Sequence, residues 1–89
     1  MATTYKIVLT SVASRNLKAL PRSVTRRIDT KLLGLGENPR PQDSRKLRER
    51  DGLMRVRVGD YRILYRVEDD HLVVLVVRIG HRRDVYRGL

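Results

Sequence analysis

The N-terminal half of the chain has a hydrophobic pattern that predicts one strand followed by two helices. A short β-prone run at residues 5–9 comes first. Thr10 and Ser11, both good N-cap residues, then open a stretch with helical spacing of apolar residues that ends before Pro21. A second helix is expected to start with Ser23 as its N-cap and to end at Gly36, and its apolar stripe consists of Val24, Ile28, Leu32 and Leu35. Because the link between the helices is short, we expect an antiparallel helical hairpin with both stripes facing one surface.

The C-terminal half changes to a period of two, which is typical of strands. Residues 37–52 contain two prolines and are expected to form a loop anchored by Leu47. Beyond that loop, apolar and polar residues alternate on both sides of Gly59-Asp60, and this alternation predicts a β-hairpin. The predicted cross-strand pairs are Val58 with Tyr61, Arg57 with Arg62, Val56 with Ile63 and Arg55 with Leu64. Asp69 and Asp70 predict a second turn into residues 72–79, whose nearly continuous apolar run indicates a central strand.

These elements together predict an α+β fold. An N-terminal strand, a helical hairpin and a three-strand antiparallel meander would form one mostly antiparallel sheet with the helices packed on one face. A chain of 89 residues is too short for two cores, so residues 1–89 are expected to form a single domain.

Composition excludes several kinds of site and indicates a polyanionic partner. The chain has no Cys and two His, so disulfides, cysteine nucleophiles and cysteine zinc sites are excluded, and we expect neither a metal site nor a cofactor. Its apolar runs are too short for a membrane span or a signal peptide, which favours a soluble, cytoplasmic protein. A net charge of +10 indicates an anionic partner, although coding bias or adaptation to heat would also enrich arginine.

The predicted hairpin concentrates positive charge on one face of the sheet. Arg57 lies opposite Arg62 in the predicted register, and like charges in a cross-strand pair are destabilising. A solvated face with mixed charges is the plainer interpretation, but no acidic residue separates the arginines on this face, which are Arg55, Arg57, Arg62 and Arg66. We therefore expect the face to bind an anion such as phosphate.

The C-terminal segment GHRRDVYRGL adds a tyrosine, a histidine and further arginines. Tyr86 is either a packing residue or a group that stacks on a base or accepts a proton, because neighbouring arginines would stabilise a phenolate. His81 is either a loop residue or an acid–base group, since imidazole exchanges protons readily near neutral pH.

The stretches LMRVRVGDYRILYRV, residues 53–67, and VVRIGHRRDVYR, residues 76–87, resemble the RelE/ParE superfamily of toxin–antitoxin toxins. The sequences GDYR and GHRR, with a tyrosine four residues after Arg82, are similar to the RelE branch. The resemblance implies a ribosome-dependent endoribonuclease that cuts mRNA without a metal and is silenced by an acidic, RelB-like antitoxin in a hetero-oligomer.

Site residues follow from the resemblance position by position. It places phosphate-binding and charge-stabilising roles on Arg55, Arg57, Arg62 and Arg82, and the role of general base on Tyr86. His81 is the expected proton donor. Further contacts to RNA are expected from Lys46, Arg48, Arg66 and Arg83. Relatives carry lysine where this chain has Arg55 and Arg57, so cleavage would be slow or use another acid if those lysines transfer protons.

Two other functions remain open from the sequence. The ParE branch has the same fold and poisons DNA gyrase without cutting RNA, and the presence of Arg62, Arg82 and Tyr86 favours the RelE branch over it. A basic RNA-binding domain without activity would show the same charge pattern.

Overall fold

The computed structural model describes residues 4–48, 50 and 52–87, and it confirms the α+β class. Its elements in chain order are β1 (Lys6–Leu9), α1 (Ser11–Lys18), α2 (Arg22–Glu37), β2 (Arg45–Lys46), β3 (Met54–Val58), β4 (Tyr61–Glu68) and β5 (Val73–His81). The strands form one sheet in the order β1-β5-β4-β3-β2, in which only the β1–β5 pair is parallel. The two-residue strand β2 lies inside the segment that was expected to be loop throughout.

The two helices begin differently. Of the two predicted N-cap candidates, Thr10 is the N-cap of α1, since its hydroxyl accepts a hydrogen bond from the Ala13 amide at 3.1 Å, and Ser11 is the first residue of the helix. The prediction of Ser23 as the N-cap of α2 is wrong, because Pro21 occupies the N-cap without any side-chain cap and α2 begins at Arg22. The end of α2 also lies one residue beyond Gly36, at Glu37.

Gly36 has a packing role. Its carbonyl accepts a hydrogen bond from the Tyr5 amide at 2.7 Å, and a Cβ atom at position 36 would lie 3.1 Å from the Tyr5 carbonyl oxygen. The absence of a side chain therefore lets the start of β1 approach the end of α2 closely.

The main core lies between the sheet and the helices, which contact it on one face. Its buried members are Ala13, Ile28, Leu32, Leu35, Met54, Val56, Val58, Ile63, Tyr65, Val74, Val76 and Ile79. Tyr65 is fully buried, and its hydroxyl donates to the Pro39 carbonyl at 2.7 Å. This bond ties the loop after α2 to the core, while burial raises the pKa of Tyr65. No helix in the described part of the chain is long and apolar enough to cross a membrane.

The predicted hairpin register is confirmed in all four pairs. The pairing of β4 with β5 is interrupted by a bulge, since Leu64 pairs with Arg78 whereas Tyr65 pairs with Val76. Val77 is the extra residue. As a result Val76 and Ile79 both pack in the main core, whereas Val77 packs against a second apolar cluster, formed by Leu53, Leu64 and Val85.

Three separate segments are joined by one ionic cluster near the N-terminal end of β5. Asp69 accepts hydrogen bonds from the Arg40 guanidinium at 2.8 and 3.2 Å and from the Tyr5 hydroxyl at 2.7 Å. These bonds lower the pKa of Asp69 to about 2 and raise that of Tyr5. The cluster therefore connects the start of the chain, the loop after α2 and the turn between β4 and β5.

Candidate nucleic-acid interface

Arginines from three adjacent strands share the sheet face opposite the helices, which we call the arginine face. Direct cross-strand pairs place Arg45 beside Arg55 and Arg57 beside Arg62. Strand alternation adds Arg66 to the same face. This arrangement confirms that two arginines oppose each other in the hairpin, and it adds a second pair of the same kind.

Arg62 differs from the other arginines in being only 8% exposed. Its Nη1 donates to the carbonyl oxygens of Gly59 at 3.3 Å and Tyr61 at 3.2 Å, so the guanidinium is held at the hairpin turn. Gly59 has φ +59°, a value that favours glycine and shapes this turn. A buried cation fixed in this way is prearranged to meet an anion.

The segment that carries Tyr86 folds back over the arginine face in a series of turns. The Arg82 amide donates to the Asp60 carbonyl at 2.8 Å, which joins this segment to the hairpin turn. Val85 is buried against Leu53 and Leu64, and no side chain at Gly80 stands between it and β5. The neighbouring Tyr86 is 40% exposed, which does not fit a residue that plugs the core.

Arg78 is a component of this segment that the sequence analysis missed. It pairs with Leu64 on the arginine face, and its Nη1 donates to the carbonyl oxygens of Val85 at 3.5 Å and of Arg87. The Nε atom of Arg78 is buried and has no hydrogen-bond partner among the described residues. Its guanidinium holds the peptide groups on both sides of Tyr86. A lone charged residue within an otherwise apolar strand was the available signal in the sequence.

Two of the predicted site residues lie on the other face of the sheet. His81 pairs with Tyr61, and their rings meet edge to face with centroids 5.7 Å apart. The partner of Arg62 is instead Gly80, so alternation turns the His81 side chain away from the arginine face. Lys46 pairs with the core residue Met54 and lines a cleft on that side of the sheet.

The remaining predicted contacts are exposed. Arg57 lies on β3, and Arg48, Arg82 and Arg83 lie in turns. Arg55 and Arg66 are half-buried. The arginine face thus brings together Arg55, Arg57, Arg62 and Arg66 with the turns that bear Arg82, Arg83 and Tyr86, whereas Lys46 and the His81 ring lie apart from it. The described residues contain no group of three His, Cys, Asp or Glu side chains that could hold a metal ion.

Comparison with known proteins assigns the chain to a family. The family model described as "ParE toxin of type II toxin-antitoxin system, parDE" matches residues 7–86. Toxin RelG of Mycobacterium tuberculosis is 34% identical over 84 residues, which cover 93% of this chain and 97% of the relative. The chain belongs to the RelE/ParE superfamily. It is the toxin component of a type II toxin–antitoxin system.

Other members of the RelE/ParE superfamily are similar along most of this toxin. Toxin RelE of M. tuberculosis is 31% identical over 84 residues, which cover 93% of this chain and 87% of the relative. The solved toxin–antitoxin complex RelBE2 of the same organism contains a chain with a TM-score of 0.81 and 32% identity, with coverage of 94% and 98%. The archaeal RelE–RelB complex of Pyrococcus horikoshii gives a TM-score of 0.78 and 28% identity, with coverage of 92% and 99%.

Proposed function

We propose that this toxin is a ribosome-dependent endoribonuclease that cuts mRNA and acts in the cytoplasm, where ribosomes are found. The observation that carries this proposal is the buried, fixed guanidinium of Arg62 beside the turns that bear Arg82 and Tyr86. A preorganised cation on the same face as the segment that bears an exposed phenol suits attack within a phosphodiester, in which negative charge develops on the phosphate. The RelE names of two similar toxins add support.

The proposed reaction is a transfer within the RNA strand. The 2′-hydroxyl oxygen attacks the adjacent phosphorus while the bond from phosphorus to the 5′-oxygen breaks, leaving a 2′,3′-cyclic phosphate and a free 5′-hydroxyl. Tyr86 takes the proton of the 2′-hydroxyl, and arginines hold the phosphate, principally Arg62 with Arg55, Arg57 and Arg82. The proposed route uses no metal.

The proton that the 5′-oxygen needs comes from a second group in this proposal, and His81 is the residue to test. Its ring contacts Tyr61 on the helix side of the sheet, and its Nδ1 accepts a hydrogen bond from the Arg83 amide at 3.2 Å. We therefore expect His81→Gln to slow cleavage less than Tyr86→Phe does.

The deciding experiment mixes the EDTA-treated toxin with ribosomes that hold a defined mRNA. Cleavage that yields cyclic phosphate ends, and that is slowed in Arg62→Met but not in Arg26→Met, would support the proposal. Arg26 is a suitable control because it is an exposed arginine on α2, far from the arginine face in sequence and fold. An intact message with the wild-type toxin would contradict the proposal.

A ParE-like inhibitor of DNA gyrase is the second candidate, because the matching family model carries the ParE name. The same preparation should therefore be tested for inhibition of DNA supercoiling by gyrase. Inhibition of gyrase together with an intact message would favour this alternative. Binding of RNA with neither effect would favour a basic RNA-binding domain without activity.

We further propose that an acidic, RelB-like antitoxin binds and silences the toxin in a hetero-oligomer. The solved neighbours named above are complexes of RelE and RelB proteins, and this chain carries a net charge of +10. A groove of about 430 Å³ between α2 and β3 combines apolar Leu35 and Val58 with the cations Arg27 and Arg57. Co-purification with the product of an adjacent acidic reading frame tests this partner, and good growth of cells that express the toxin alone, together with no binding of that product, would contradict it.

A further inference from the structure

A cleft on the arginine face lies at the β2 edge of the sheet. Its volume is about 200 Å³, and its lining consists of Asp43, Arg45, Arg55 and Arg57. β3 separates β2 from β4, so the backbone of Arg45 lies about 10 Å across the sheet from the strand that carries Arg62. This cleft is thus distinct from the position of Arg62 at the hairpin turn.

Arg45 has a like-charged cross-strand neighbour, and a bound anion would relieve the repulsion between them. Arg45 and Arg55 are direct cross-strand partners, and like charges so placed repel each other. The Arg45 side chain is nevertheless fixed, because its Nη1 donates to the carbonyl oxygens of Gln42 and Ser44, both at 2.8 Å. A guanidinium that is already ordered loses little conformational entropy when it binds a ligand.

The acidic residue of the cleft is engaged elsewhere. Asp43 forms an ion pair with Lys31 of α2 at 2.5 Å, which draws its charge toward the helix. The three arginines that line the cleft therefore outnumber its one carboxylate, and that carboxylate already has a cation. The cleft retains a net positive charge.

We propose that this cleft binds a second phosphodiester of the RNA strand, separate from the phosphate that is cut. The guanidinium fork matches phosphate oxygens, and the cleft continues the arginine face from Arg57 toward the sheet edge. This inference rests on the proposed function, because the second phosphodiester belongs to the RNA strand that the toxin is proposed to cut. Arg45, which the sequence analysis did not select, is its principal residue.

The first test measures RNA binding as a function of salt. The probe is a 2′-O-methyl RNA oligonucleotide of about ten nucleotides, which cannot be cut because the attacking hydroxyl is blocked. Loss of one phosphate contact lowers the slope of log affinity against log salt by about 0.7–0.9. We expect this loss in Arg45→Gln, its recovery in Arg45→Lys, and no change in the exposed control Arg26→Gln. Equal slopes in all of these proteins would overturn the proposal.

The second test identifies the phosphate. A neutral methylphosphonate replaces one phosphate of the oligonucleotide at a time. In wild type and Arg26→Gln, replacement of the phosphate at one internal position should weaken binding. In Arg45→Gln, replacement at that position should have no effect. The same loss of affinity in all three proteins would overturn the proposal. Weaker binding of the antitoxin without any change toward RNA would assign the cleft to a protein carboxylate and also overturn it.

These measurements are independent of catalysis. The oligonucleotide is not cut, so the subsite can be found even if the toxin leaves ribosome-bound mRNA intact. In that case the cleavage proposal fails and the phosphate subsite stands. Conversely, active cleavage with an unchanged salt slope in Arg45→Gln would overturn the subsite alone.

Discussion

Arg57 and Arg62 are direct cross-strand partners, yet the Arg62 side chain is buried against the hairpin turn while Arg57 is exposed. Two hydrogen bonds to backbone carbonyls hold Arg62 in this position. The two arginines of this pair therefore have different roles on the arginine face. Arg62 supports the hairpin turn and provides a fixed positive charge, whereas Arg57 exposes its charge to solvent.

Arg62→Met should lower the free energy of unfolding by about 1–3 kcal/mol, because it leaves the two carbonyl oxygens without their charged donor. Arg57→Met, on the same rung of the hairpin, should change it by less than about 0.5 kcal/mol because surface substitutions are usually tolerated. Urea denaturation followed by circular dichroism measures both values. Equal effects of the two substitutions would contradict the structural role of Arg62.

Tyr86→Phe should reduce the rate of single-turnover cleavage on ribosomes by about 10²–10⁴-fold, which is the usual contribution of a general base. The phenol is exposed and makes no hydrogen bond within the described part of the chain, so stability and ribosome affinity should change little. A wild-type rate for Tyr86→Phe would mean that another group takes the proton.

Arg78→Met should loosen the segment that carries Tyr86, because it removes the donors to the Val85 and Arg87 carbonyl oxygens while it keeps an unbranched side chain. We expect faster amide hydrogen exchange at residues 82–87 than in wild type, with little change in α2. Arg26→Met removes the same charge from an exposed site and serves as the control. Unchanged exchange in residues 82–87 would show that the packing of Val85 and the bond from the Arg82 amide to Asp60 anchor the segment without Arg78.

If Arg78 acts through Tyr86, the two substitutions should not be additive in the cleavage rate. The double variant Arg78→Met with Tyr86→Phe should then be about as slow as Tyr86→Phe alone. A double variant whose cleavage rate falls by the product of the two single reductions would contradict this coupling.

Asp69→Asn should reduce stability near neutral pH and have little effect near pH 2. The pKa of Asp69 is about 2 in the folded protein, below its ordinary value of 3.8, so its ionisation stabilises the fold above about pH 4. That contribution declines as the pH falls toward 2. Urea midpoints measured from pH 5 to pH 2 should converge for wild type and Asp69→Asn, with Asp70→Asn as the control. A constant difference across this range would contradict the role of the carboxylate.

The hairpin and its face could be predicted from the sequence because alternation and turn chemistry agree there. Gly59-Asp60 fixes the register, and all four predicted pairs are present. The same local reasoning could not find β2, since two residues carry no periodicity and Arg45 pairs with Arg55 only through the tertiary fold. It also missed the N-cap of α2, where Pro21 precedes the helix directly.

The positive charge of the candidate site could be predicted from the sequence, but the face of the sheet on which some of its side chains lie could not. His81 was expected to donate a proton near the arginines, but the residue next to Arg62 across the strands is Gly80. Lys46 and Arg45 are neighbours in the chain, and alternation sends them to opposite faces. The side on which a residue lies depends on a register that a short or terminal strand does not reveal by itself.

The bulge at Val77 sets the order in which β5 distributes its side chains. If Val77 were paired like an ordinary strand residue, strict alternation from Val76 would turn Arg78 into the main core and Ile79 out of it. Because Val77 is left out of the pairing, Val76 and Arg78 keep the faces that an uninterrupted ladder opposite Tyr65 and Leu64 would give them. Deletion of Val77 should therefore remove the bulge, leave Arg78, Ile79 and the segment that bears Tyr86 on their present sides of the sheet, and lose the contact of Val77 with the second apolar cluster.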